Sequence, residues 1–178
     1  LILKLNGKTN LVKGEPISTQ LCSVKEAKKL GAKGVGYTIY VGSKYEHIMF
    51  KEFEKIEKDA HRNNLSVIAW MYPRGEAIKN ELDRDILAYS ARVGLELGAD
   101  IVKLKYNGNV EDLQFAVKSA GRCKVVVAGG VKIRERDFLN EARRVVKAGA
   151  MGLAVGRNVW QSKKPLEFSR KLRKEVFG

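Results

Sequence analysis

Leu97-Gly98-Ala99-Asp100-Ile101-Val102-Lys103-Leu104-Lys105-Tyr106 compresses a helix end, an apolar strand and a pair of lysines into one short stretch. Gly98 can take the left-handed conformation that closes a helix, so Leu-Gly-Ala reads as a helix end leading directly into the next element. Asp100–Tyr106 is short and built around Ile and Val, as buried parallel strands are. The same joint recurs at Leu30-Gly31-Ala32 and Ala148-Gly149-Ala150, and Asn64 can play the part before Ser66. Strand-like segments fall at 1–5, 34–40, 66–72, 100–106, 124–128 and 152–155, and helical patterns at 23–30, 44–62, 77–97, 110–119, 134–148 and 165–176. Ser23 followed by Glu26 forms a capping box for the first helix.

Strands alternating with helices through short joints predict a parallel sheet with right-handed crossovers. Six such units suit an open doubly wound sheet, whereas a closed (β/α)8 barrel needs eight. The first strand, however, is not followed by the GxGxxG turn of a dinucleotide-binding sheet. Polar and glycine residues collect instead at the ends of the third to sixth strands, as at the rim of a barrel. The expected fold is α/β, a parallel (β/α)8 TIM-barrel type, with residues 1–178 as a single, partial barrel domain.

Composition narrows the function classes. A chain of 178 residues, 44% hydrophobic and 30% charged, reads as a globular domain able to bury a core. No apolar run approaches the roughly 20 residues of a membrane-spanning helix. The opening Leu-Ile-Leu-Lys-Leu-Asn reads as a strand rather than a signal peptide. Cys22 and Cys123 stand apart from any CxxC or Cys/His cluster, and are expected to be buried thiols in a reducing compartment. His47 and His61 lack matching acidic partners, so no metal site is expected. The net charge of +14 is spread along the chain in pairs such as Lys28-Lys29 and Arg143-Arg144, interleaved with Glu. With no nucleic-acid-binding motif beside it, that charge reads as solvated surface and as steering for an anionic substrate.

Lys103 is the leading chemical candidate. Burying a lysine disfavours its charged form, and the neutral amine is the nucleophile that attacks carbonyls. Lys105 alternates onto the same strand face, either repelling Lys103 or reaching the mouth to help hold phosphate. In Trp70-Met71-Tyr72-Pro73-Arg74-Gly75, Trp70 and Tyr72 share the face taken to line the pocket, while Pro73 and Gly75 carry the backbone, with Arg74, to the rim. A tyrosine across from a Schiff-base lysine can move the proton that carbinolamine dehydration requires. Ala128-Gly129-Gly130-Val131-Lys132 and Val155-Gly156-Arg157-Asn158 each follow a strand and precede a helix. Glycine N–H groups there can approach a phosphate, and Arg157 can add a charge-assisted bond. Together these residues point to a Schiff-base enzyme acting on a phosphorylated sugar.

These motifs, with Leu-Lys-Leu-Asn-Gly-Lys-Thr (3–9) and Gly-Tyr-Thr-Ile-Tyr-Val-Gly-Ser (36–43), resemble the archaeal-type class I fructose-bisphosphate aldolases along essentially the whole chain. The resemblance implies reversible cleavage of fructose 1,6-bisphosphate to dihydroxyacetone phosphate and glyceraldehyde 3-phosphate. Lys103 would form the Schiff base on the sixth barrel strand, Tyr72 would transfer protons, and Trp70 would shape the sugar pocket. Arg74, Lys105, Gly129, Gly130, Gly156 and Arg157 complete the expected substrate-binding set. The resemblance further implies a metal-independent, cofactor-free, cytoplasmic lyase of glycolysis and gluconeogenesis that assembles as a homo-oligomer.

The chain departs from that family in two places. It aligns with about the third to eighth strands, so the first two βα units, with a strand-one Asp that positions substrate, have no counterpart. The family's Gly-Gly-Pro-Lys is here Gly-Gly-Val-Lys (129–132). A piece of a longer protein, an enzyme completed by another chain and a shortened relative all remain open. So do two other functions: a related Schiff-base synthase of the aminodeoxy-heptulosonate type, against which Trp70 argues, and a non-catalytic sugar-phosphate binding module.

Overall fold

The computed structural model describes residues 1–9, 11 and 13–178. Its strands are β1 (Ile2–Lys4), β2 (Asn6–Gly7), β3 (Thr19–Gln20), β4 (Gly34–Ile39), β5 (Ser66–Met71), β6 (Ile101–Leu104), β7 (Lys124–Ala128) and β8 (Gly152–Ala154). The helices are α1 (Val24–Lys29), α2 (Glu46–Arg62), α3 (Arg84–Glu96), α4 (Val110–Ser119), α5 (Glu135–Lys147), α6 (Arg157–Trp160) and α7 (Pro165–Phe177).

Strand order decides between the two architectures. The main sheet runs β1-β4-β5-β6-β7-β8, every pair parallel, each strand beside the next one of the sheet. A doubly wound sheet must reverse direction at a switch point, and this one never does. With right-handed crossovers throughout, the helices collect on one face and leave the other to line a lumen. Burial follows suit: Val102 and Leu104 face the helices and are fully buried, whereas Ile101 and Lys103 are half-buried on the lumen side. The sheet is six strands of a (β/α)8 barrel, curled but not closed.

Local signals place the elements. Ser23 accepts from the Glu26 N–H at 3.1 Å, and the Glu26 carboxylate takes the Ser23 N–H at 2.8 Å, completing the box. Gly31, Gly98 and Gly149 close their helices at φ of 78°, 84° and 89°, and Asn64 does so at 56°. The helix expected from 77 starts only at 84, because Asp83 caps it by accepting from the N–H groups of Asp85 and Ile86. Two elements were not anticipated: the short helix α6 and the antiparallel pair β2–β3 just beyond β1. Where β1 ends, the Asn6 side chain stands in for backbone, giving its amide to Thr38 O at 2.9 Å and taking the Thr38 N–H at 2.8 Å.

Both cysteines are free; Cys123 is buried, but Cys22 is only half-buried. His61 does meet acidic partners, Glu57 at 2.8 Å and Asp100 at 3.1 Å, since α2 packs its last turn against the start of β6. The described residues contain no cluster fit to hold a metal ion and no helix long and apolar enough to cross a membrane.

Candidate active site

A cleft of about 720 Å³ opens at the carboxyl ends of β5 to β8, where barrel loops converge. Tyr72, Arg74, Lys103, Lys105, Gly129, Gly130, Gly156 and Arg157 all line it. Trp70 lies just below, paired in register with Lys103, whose ammonium sits 4.6 Å from its ring centre.

Burial and a neighbouring positive charge both act on Lys103. Desolvation lowers its pKa first, and the charge of Lys4 lowers it further. Of the two places the sequence left open for Lys105, beside Lys103 or at the mouth, it takes the mouth, and the positive charge nearest in effect to Lys103 is Lys4 on β1. Lys105 is engaged elsewhere, paired with Glu81, which also accepts from Arg74 Nε at 3.0 Å. Burial alone would raise the Glu81 pKa, but the bonds from Lys105 and Arg74 prevail and lower it. Burial raises the pKa of the Tyr72 phenol, with Arg74 opposing. A phenol held neutral is suited to donate a proton.

The glycine loops are built differently from the expectation. The Gly129 N–H donates to Ala154 O at 3.3 Å, extending the β7–β8 ladder, so it is not free for a phosphate. A side chain at 129 would press on Val155, with a Cβ 3.1 Å from its backbone. That close approach by itself calls for glycine at 129. Arg157 is turned to the neighbouring loop, donating to Gly130 O at 3.0 Å. Among the described residues the N–H groups of Gly130 and Gly156 find no backbone acceptor, and both border the cleft.

Asn158, quoted in the motif but given no role, fastens this rim. It is 3% exposed, donates to Gly129 O and Val131 O at 2.6 and 2.8 Å, and accepts the Ile133 N–H at 2.9 Å. Glu81 carries no local signal in the sequence, nor does Tyr106, which lines the cleft and whose buried hydroxyl has no partner among the described residues. Lys4 had a signal, since it follows Ile2 by two on an edge strand and so shares its face. Nothing local told which face.

A parallel barrel with a half-buried lysine at a strand end, a tyrosine beside it and glycine loops on the last two strands defines the Schiff-base aldolase class of site. The comparisons agree: the DeoC/LacD family aldolase pattern matches residues 1–162, and the chain belongs to that family. It is 51% identical, over its whole length, to the class 1 fructose-bisphosphate aldolase of Thermoproteus tenax, and covers 68% of that protein. The Methanocaldococcus jannaschii fructose-bisphosphate aldolase/6-deoxy-5-ketofructose 1-phosphate synthase is 42% identical over 99% of the chain, which covers 60% of it. An archaeal fructose-1,6-bisphosphate aldolase, solved with its catalytic Lys bound to the carbinolamine intermediate of the substrate, superposes with a TM-score of 0.96. That match is at 50% identity over 99% of this chain and 71% of the other. The chain thus spans roughly two thirds of the length of these relatives.

Proposed function

We propose that this chain carries class I aldolase chemistry, the reversible cleavage of fructose 1,6-bisphosphate into dihydroxyacetone phosphate and glyceraldehyde 3-phosphate. The observation that carries the reading is Lys103: a strand-end amine, half-buried, with its pKa lowered, facing a cleft wide enough for a sugar phosphate.

In this reading the neutral Lys103 Nζ adds to the substrate C2 carbonyl, and the carbinolamine loses water to give an iminium. Tyr72 supplies the proton that the departing hydroxyl needs. The C4 hydroxyl then gives its proton to the phenolate that Tyr72 became, the C3–C4 bond breaks, and its electron pair moves into the iminium to form an enamine. Glyceraldehyde 3-phosphate leaves. Protonation at C3 and hydrolysis return dihydroxyacetone phosphate and the free amine. The iminium is itself the electron sink, so the reading requires neither metal nor cofactor. Gly130, Gly156 and Arg157 would hold one phosphate, Arg74 and Lys105 the other, and Trp70 would bound the sugar. We further propose a cytoplasmic homo-oligomer that takes phosphorylated sugars and no nucleic acid.

The methanogen relative's double name favours a second reading, an additional synthase activity on a deoxy-ketose phosphate. Incubation with dihydroxyacetone phosphate, borohydride reduction and peptide mass spectrometry tests the core claim. An adduct on Lys103, absent from Lys103→Met, is expected. A folded chain that binds the phosphate without forming an adduct would instead be a binding module. Relative turnover of fructose 1,6-bisphosphate and a deoxy-ketose phosphate separates the two enzymatic readings.

A further inference from the structure

Lys4 sits at the end of β1, on the lumen face opposite Gly36 in register. Gly36 has no side chain, and the Trp70 indole lies over it: a Cβ there would come within 3.2 Å of three indole atoms. Trp70 thereby reaches across β4 toward β1. The Lys4 ammonium is 5.1 Å from its ring centre, and the Lys103 ammonium 4.6 Å from the same ring. Two lysines from strands that are not neighbours in the sheet approach the same indole ring.

We infer that Lys4 is a positioning residue for the imine-forming amine: held at the same Trp70 ring, it sets a second positive charge near Lys103 and so keeps that amine neutral. The inference rests on the aldolase reading for its purpose, but not for its physics. Like charges disfavour each other's ionisation, and the group already short of water yields its proton first. Burial lowers the pKa of both lysines, but Lys103 is the more deeply buried and also feels Lys4, so Lys103 yields first. The π face favours both ammoniums and alone would raise both pKa values. Burial and mutual repulsion prevail at Lys103, whose pKa is lowered.

Among the charged groups around Lys103, Lys4 is the one whose charge bears on it. On its own strand, Lys105 pairs with Glu81, and Tyr106 is an uncharged phenol. From β5 comes Tyr72, and Arg74 beyond it shares that one carboxylate, so the trio keeps a net positive charge at the mouth of the cleft. β7 places Val126 beside Lys103 in register. Arg157 and Glu141 line the far side of the cleft, where Arg157 is bonded to the Gly130 carbonyl.

The test is the intrinsic reactivity of Lys103, read without substrate. The chain and its Lys4→Met and Lys4→Arg variants are labelled with trace acetic anhydride over the neutral to alkaline range, and each lysine peptide is quantified by mass spectrometry. In the parent, Lys103 should become reactive at lower pH than exposed lysines. Lys4→Met should move that midpoint upward and cut neutral-pH labelling several-fold, while Lys4→Arg restores it. A midpoint that Lys4→Met leaves in place overturns the proposal, as does one that Lys4→Arg moves equally. A purely structural role for Lys4 would change the extent of labelling across many lysines rather than the Lys103 midpoint. Dihydroxyacetone phosphate trapping is run in parallel. A Lys4-dependent midpoint without any adduct removes the aldolase reading and leaves the lysine pair standing.

Discussion

Glu81 holds Lys105 across the mouth of the cleft and takes Arg74 with its other oxygen, so both cations are occupied by an internal carboxylate. A substrate phosphate that uses them must displace it. Glu81→Gln keeps the shape and removes the competing charge. Inorganic phosphate and fructose 1,6-bisphosphate should then bind several-fold more tightly, measured by calorimetry, and more steeply with falling ionic strength. Unchanged affinity would place the second phosphate elsewhere.

Tyr72→Phe removes the phenol and leaves the ring stacked near Arg74. Cleavage of fructose 1,6-bisphosphate should fall about 10²–10⁴-fold, the usual range for losing a proton-transfer group. Binding of the bisphosphate should change little. A KM effect with kcat intact would make Tyr72 a binding residue.

Asn158→Ala strips the rim of three hydrogen bonds and leaves the buried Gly129 carbonyl without its donor. We expect a loss of about 1–3 kcal/mol in denaturant unfolding. Hydrogen exchange should accelerate over 129–133 first. Little change in either would mean that the loop is held by Arg157 and the β7–β8 ladder alone.

His61 gives a pH dependence whose sign is fixed. Its bond to Asp100, with added attraction from both Asp100 and Glu57, raises its pKa above the free value near 6.5. The protonated form is thus favoured in the folded chain. Its stabilisation is complete below about pH 6.5 and fades as pH rises through the folded value. The melting-temperature gap between parent and His61→Phe should be widest in mild acid and shrink through neutrality. The pair is largely solvated, so the gap will be small.

Much of the fold was legible because its punctuation is local. Helix ends at Gly31, Gly98 and Gly149 need only a backbone preference, and the strands between them are short β-branched runs. The start of α3 was misplaced because residues 77–83 are compatible with a helix, and only the Asp83 cap excludes them. Lys103 and Tyr72 stand out in sequence because one interrupts an apolar strand near its end and the other directly follows one. Lys4, Glu81 and Asn158 could not be assigned roles, since each acts on a partner from another βα unit. The N–H of Gly129 shows the same limit: whether it is free depends on how far β8 pairs with β7.

The indole seated over Gly36 constrains the order in which this pocket can change. While Trp70 is present, a side chain at 36 makes the ring give by a few tenths of an ångström. A lineage that first shrinks Trp70 frees position 36 to accept alanine or serine, and the indole then returns only by shifting off the new Cβ. Pocket width is thus coupled to a position on the neighbouring strand, and the two change most easily in one order outward and the opposite order back.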